Sequence, residues 1–139
     1  MKKSRIKLYL DIDGVLLTTK NTRAKDFSKP FIKFIIEKFD CYWLTTHCKG
    51  DASAAIKYLS NYFPFFYLNM LRKIKPTNWG VLKTEAIDFE SNYVWIDDMP
   101  MKAEQKVLQQ KNTGHLFVVN KNGNLILVKQ KLKQILKRR

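Results

Sequence analysis

Residues 6–10, Ile-Lys-Leu-Tyr-Leu, are a short apolar run that ends on Asp11-Ile12-Asp13-Gly14. A run of this length, closed by acids and a glycine, reads as a buried strand that delivers two carboxylates onto a turn. The strand belongs inside a core, yet its last residues need an edge where charge is tolerated. If the strand runs on to Asp13, both carboxyl groups point the same way, because side chains alternate along a strand. Two such carboxylates repel unless a cation sits between them. Gly14 lets the chain bend and lets a ligand approach the backbone. The stretch is a candidate metal site, and a candidate nucleophile with an acid/base partner.

The rest of the chain alternates strand and helix patterns. Ser28 is placed to cap a helix with Pro30 in its first turn, and Phe31, Phe34, Ile35 and Phe39 recur at helical spacing. Residues 41–44 form a short apolar strand running into Thr45-Thr46-His47. Asp51 is expected to cap a helix striped by Ala55, Ile56, Leu59 and Phe63, and Pro64 stops it. Residues 65–75 fit a strand, or aromatics lining a long loop. A helix is expected over residues 81–88. Residues 93–96, Tyr-Val-Trp-Ile, are a strand ending at Asp97-Asp98, and Pro100 opens the next helix. Residues 115–119 make another strand, residues 120–124 a turn, and residues 125–127 a short strand or a helix entry. The last helix carries Val128, Leu132, Ile135 and Leu136 on one face and lysines on the others.

Such alternation implies right-handed crossovers and a mainly parallel sheet covered on both faces. The expected fold is therefore α/β, three-layered and Rossmann-like, and 139 residues fit one domain, 1–139. In these sheets ligands bind outside the carboxyl ends of the strands. Asp11/Asp13, Thr45/Thr46 and Asp97/Asp98 all sit at predicted strand ends and should converge there.

Four carboxylates without a His or Cys cluster make an all-oxygen site, which suits a hard cation such as Mg²⁺ and not zinc. His47, the one nearby imidazole, is read as a hydrogen-bonded loop or core residue. Each acidic motif alone also fits a plain turn, a calcium loop or a helix cap; their joint order is what carries the functional reading.

These residues resemble the haloacid dehalogenase-like superfamily of phosphohydrolases. Asp11-Ile12-Asp13-Gly14-Val15 is similar to its first motif, Leu44-Thr45 to its second, and Trp95-Ile96-Asp97-Asp98 to its acidic fourth. Its third motif is a lysine, for which Lys83 is chosen and Lys75 is the alternative. The resemblance implies that Asp11 is a nucleophile forming an aspartyl-phosphate. It implies that Asp13 is the acid/base, that Thr45 binds a phosphoryl oxygen, and that Lys83 offsets charge. Mg²⁺ would be held by Asp11, the backbone carbonyl of Asp13, Asp97 and Asp98. About 30 residues separate Asp13 from Thr45 and about 40 separate Thr45 from Lys83, too few for a cap domain. An uncapped, open site favours a bulky phosphorylated substrate.

Charge bears on that substrate. The net charge is +14, from 26 Lys and Arg against 12 Asp and Glu. Such an excess suits phosphate backbones, or is lysine used as surface filler. With Trp79, Phe65, Phe66 and Tyr67 near an open site, it would suit a nucleic-acid terminal phosphate. The alternatives are that these aromatics are core, that the substrate is a small metabolite or nucleotide, or that the chain is a non-catalytic nucleic-acid-binding module. Trp43 and Trp95 are expected in the core. No apolar run approaches the ~20 residues that span a bilayer. The basic start Met1-Lys2-Lys3-Ser4-Arg5 is followed by too few apolar positions for a secretion leader. Cys41 and Cys48 need not be bonded, and two free thiols suit a reducing cytoplasm.

Overall fold

The computed structural model describes residues 4–111 and 113–138; Met1, Lys2 and Lys3 of the basic start lie outside the described residues. Strands β1 (Lys7–Leu10), β2 (Asp40–Trp43), β3 (Tyr93–Asp97) and β4 (His115–Val118) form one sheet in the order β2-β1-β3-β4, with every pairing parallel. Parallel neighbours need crossovers. The crossovers and flanks supply α1 (Ser28–Lys38), α2 (Ser53–Leu59), α3 (Phe65–Leu71), α4 (Lys102–Lys111) and α5 (Ile126–Lys137). The result is an α/β, Rossmann-like arrangement. Among the described residues no helix is long and apolar enough to cross a membrane.

Alternation along the strands builds two cores. Leu8, Leu10, Trp43, Val94 and Ile96 face one way and pack with Phe31, Ile32 and Ile35 of α1, Leu68 and Leu71 of α3, and Val128 and Leu132 of α5. Tyr9, Tyr93 and Trp95 face the other way, against Leu44, Ile87 and the partly buried Trp79 and Leu108. Both faces are thus covered, as an all-parallel sheet requires. Each large apolar side chain so buried contributes about 1.5–3 kcal/mol relative to exposure. Register carries the argument toward the site. Leu10 lies opposite both Trp43 and Ile96, so the residues that follow these three strands emerge at one level.

Four local expectations change. Residues 65–68 are neither strand nor loop but the start of α3, entered from Pro64 in an extended conformation. Leu68 and Leu71, three apart, supply its buried side, while Phe65 and Phe66 are exposed rather than core. The helix expected over residues 81–88 is only a 3₁₀ turn, Lys83–Ala86, because Leu82 and Ile87 on either side are extended. Ser28 does not cap α1; Phe27 holds that position in the left-handed region at φ 65°. Finally, β1 stops at Leu10, so Asp13 lies in a tight turn in which Ile12 accepts the N–H groups of Val15, Leu16 and Leu17.

Lys25 fastens this turn. It is 2% exposed, and its ammonium donates to the carbonyls of Gly14 at 2.6 Å and Asn120 at 2.5 Å. The loop after β1 is thereby tied to the loop after β4. Burial pulls its pKa down to about 8, against the attraction of Asp98. Lys25→Met would leave two carbonyls without this donor. It is expected to cost roughly 2–3 kcal/mol, read as a lower urea midpoint at unchanged slope.

Candidate active site

The winding direction decides where a site can form. From β1 the chain goes to one side for β2, then crosses to the other side for β3. β1 is therefore the switch point, and the connections diverge outside its carboxyl end to leave a crevice. Asp11 is the first residue beyond β1. Its N–H donates to the Ile96 carbonyl at 3.1 Å, which holds it beside the end of β3.

Asp11, Asp97, Asp98 and Lys83 meet at this point. The Lys83 ammonium lies 2.6 Å from Asp97 Oδ2 and 3.2 Å from Asp11 Oδ2. The other oxygen of Asp11 accepts the Ile12 N–H at 2.8 Å, and that of Asp97 accepts the Met99 N–H at 3.0 Å. One oxygen from each of Asp11, Asp97 and Asp98 lies within 4.8 Å of the others, a spacing that fits a shared cation. Asp11 and Asp97 are almost wholly buried, 7% and 1% exposed. Burial and the neighbouring Asp97 push the Asp11 carboxyl up to about 7. Burial and Asp97 also raise Asp98. Burial opposes the charge on Lys83, but Asp11 and Asp97 outweigh it and keep its pKa raised. When all three are ionised, the carboxylates exceed the one ammonium by two negative charges, which a divalent oxygen-seeking ion would neutralise.

Lys83 reaches the cluster because its backbone is clamped. Glu104, buried on α4, accepts the Lys83 N–H at 2.6 Å and the Met101 N–H at 2.8 Å. Glu85 accepts the N–H groups of Gly80, Val81 and Leu82, which folds the approach to the turn. Lys75, the alternative, pairs instead with Asp40 at 2.9 Å. Asp40 begins β2, at the opposite edge of the sheet, so Lys75 is not part of this cluster.

Asp13 departs from the expected pairing with Asp11. Its carboxyl is not among the oxygens of the cation cluster; only its backbone carbonyl is left for the metal role that the resemblance implies. Oδ1 accepts from the Tyr58 hydroxyl and Oδ2 faces His47 Nε2, each at 2.7 Å. Thr45, two residues past the end of β2, is fully buried, and its hydroxyl accepts the His47 N–H at 3.3 Å. Gly14 has φ +81°, and a Cβ there would overlap the Asp98 carboxylate. That close approach, more than the bend, is what the glycine permits.

Glu104, His47 and Tyr58 were missed as site residues. Glu104 in a first helical turn reads as a dipole partner, and nothing in the sequence aims it at Lys83. His47 stands two residues after Thr45, which was a usable hint. Tyr58 carries no local signal. A cavity of about 900 Å³ opens elsewhere, at the amino edge, lined in part by Arg5, Lys7, Phe39 and Asp40. Its Lys7 and Asp40 are paired with Asp88 and Lys75, and it assembles no comparable reactive set. No family model matches the chain, and no curated protein or solved structure matches it at a significant level.

The cluster makes a prediction about stability. Asp11 rises from 3.8 to about 7 on folding, so without a cation the folded protein holds a proton that the unfolded chain releases. Its contribution is fully present below the lower value and is lost as pH rises through the upper one. A divalent cation that fills the cluster should raise the melting temperature, and more so at about pH 8 than at about pH 5. Asp97→Asn should remove the shift in a thermal melt.

Proposed function

We propose that this protein is a Mg²⁺-dependent phosphomonoesterase of the haloacid dehalogenase-like type, acting through an aspartyl-phosphate. The observation that carries the reading is the contact of Asp11 with Lys83 inside a three-carboxylate cluster, at the switch point of a parallel sheet. Buried acids raised in pKa and gathered in a crevice mark functional sites more often than structural ones.

In this reading Asp11 attacks phosphorus in line and the ester P–O bond breaks. Asp13 protonates the leaving oxygen, then accepts a proton from the water that cleaves the aspartyl-phosphate. The Thr45 hydroxyl holds a phosphoryl oxygen, and Lys83 offsets the charge that develops there. Mg²⁺, held by Asp11, the Asp13 carbonyl, Asp97 and Asp98, would supply the charge that lets an anionic nucleophile meet an anionic substrate.

A bulky polyanionic substrate is favoured over a small one, with a nucleic-acid terminal phosphate as the leading candidate. Only α1 and the sheet strand β2 lie between Asp13 and Thr45, and only α2 and α3 between Thr45 and Lys83, so the described residues form no cap over the crevice. Helices α1 and α5 carry seven lysines, Lys29, Lys33, Lys38, Lys129, Lys131, Lys133 and Lys137, against the single acid Glu37. The two helices are neighbours, with Lys129 and Lys133 within 5.6–6.0 Å of the Phe34 ring. Both start at the carboxyl edge, so this basic face runs back from the site. Phosphate contacts of this kind make affinity fall as salt rises.

Purified protein with Mg²⁺ is expected to hydrolyse p-nitrophenyl phosphate, and Asp11→Asn or a chelator should abolish turnover. Activity that survives either treatment sinks the mechanism. A panel of 3′- and 5′-phosphorylated oligonucleotides, nucleotides and sugar phosphates then separates the substrates. The oligonucleotides should show the highest kcat/KM, with KM rising steeply with salt. Preference for sugar phosphates would point to a metabolite phosphatase. Tight, salt-sensitive oligonucleotide binding without turnover would point to a binding module.

A further inference from the structure

We infer that Tyr58 and His47 are positioning residues that hold the Asp13 carboxyl in place to serve the leaving group. The inference rests on the phosphomonoesterase reading above and adds two residues to it.

Asp13 sits in a turn and not in the sheet, and its side chain is 45% exposed. An aspartate so placed would ordinarily sample several rotamers. Here both oxygens are engaged, Oδ1 by the Tyr58 hydroxyl and Oδ2 by His47 Nε2, each at 2.7 Å. Two contacts on two oxygens fix the plane of the carboxyl group as well as its position. The partners brace each other. Their rings stack with centroids 4.1 Å apart and planes 14° from parallel, and Tyr62 meets Tyr58 edge-on at 5.6 Å. Tyr58 stands on α2, whereas His47 lies in the loop after β2 and also donates its N–H to Thr45. One bracket therefore spans the β1 turn, the β2 exit and α2. Its hydrogen bonds bear on Asp13 and Thr45.

Its chemical effect follows from the proton. As Asp11 bonds to phosphorus and the ester bond breaks, the Asp13 proton moves to the leaving oxygen and a carboxylate remains. A hydroxyl already donating to Oδ1 binds that carboxylate more strongly than the neutral acid. The bracket thus favours proton release in the transition state, and matters most when the leaving group needs a proton.

The test compares two leaving groups. A p-nitrophenolate departs without protonation; a simple alkoxide does not. kcat/KM, which reports the steps through phosphoryl transfer to Asp11, is measured with Mg²⁺ for p-nitrophenyl phosphate and for an alkyl phosphate. Asp13→Asn sets the scale, with a loss of about 10²–10⁴-fold confined mainly to the alkyl substrate. Tyr58→Phe keeps the ring stack and removes only the hydroxyl. It should lower the alkyl kcat/KM by about tenfold more than the aryl value, a part of the general-acid contribution. His47→Ala should do the same, and His47→Gln, which restores a donor at similar reach, should recover part of the loss. Equal losses on both substrates, or a Gln variant no better than Ala, would overturn the proposal and leave a structural role. If Asp13→Asn itself spares the difference between substrates, the acid role of Asp13 falls and the bracket with it. Wild-type protein inert on both substrates would instead remove the phosphomonoesterase reading.

Discussion

Lys83 donates to Asp97 and forms an ion pair with Asp11 at once, and the arrangement of the carboxyl edge depends on that three-way contact. Two carboxylates this deeply buried need countercharge, because the low dielectric that strengthens their attraction to an ammonium also strengthens their mutual repulsion. The ammonium must therefore arrive from a segment that is not part of the sheet. That segment is held by two glutamates with different tasks. Glu85 gathers the N–H groups before the turn, and Glu104 fixes the turn to α4. Glu104 thus acts on the cluster through the Lys83 backbone, holding the turn from which the ammonium reaches the aspartates.

Sheet register does the rest. Because Leu10 is level with Trp43 and Ile96, Asp11, Leu44 and Asp97 emerge together although they are far apart in sequence, with Thr45 one residue further on. The same register divides the core. The face toward α1, α3 and α5 is largely aliphatic at the strands apart from Trp43, while the face toward the Lys83 turn and α4 is built on Tyr9, Tyr93 and Trp95. The basic helices lie over the first face. The exposed basic charge of α1 and α5 and the buried acidic cluster with Lys83 are thereby kept apart.

Much of this was legible in the sequence because it depends on short periodicities. Apolar runs ending on acids pointed to the parallel sheet and to the meeting of Asp11 with Asp97. What was hidden depends on distance in space. The choice of Lys83 over Lys75 turns on Glu104, 21 residues further along the chain. The partners of Asp13 come from residues 47 and 58, and its separation from Asp11 comes from a strand that ends three residues before it. Residues 65–71 were ambiguous because aromatics favour strands, and only packing against α1 decides for a helix.

Gly14 carries a consequence for how this chain tolerates change. Its left-handed φ and its contact with Asp98 penalise any side chain on two counts, conformational and steric. Asp11, three residues earlier, is the reverse case: an uncharged amide there would relieve repulsion from Asp97 and so favour the folded state. Under selection for folding alone, position 14 should stay glycine while position 11 drifts. Two positions three residues apart are thus under unrelated pressures, shape at Gly14 and, in the proposed reading, chemistry at Asp11.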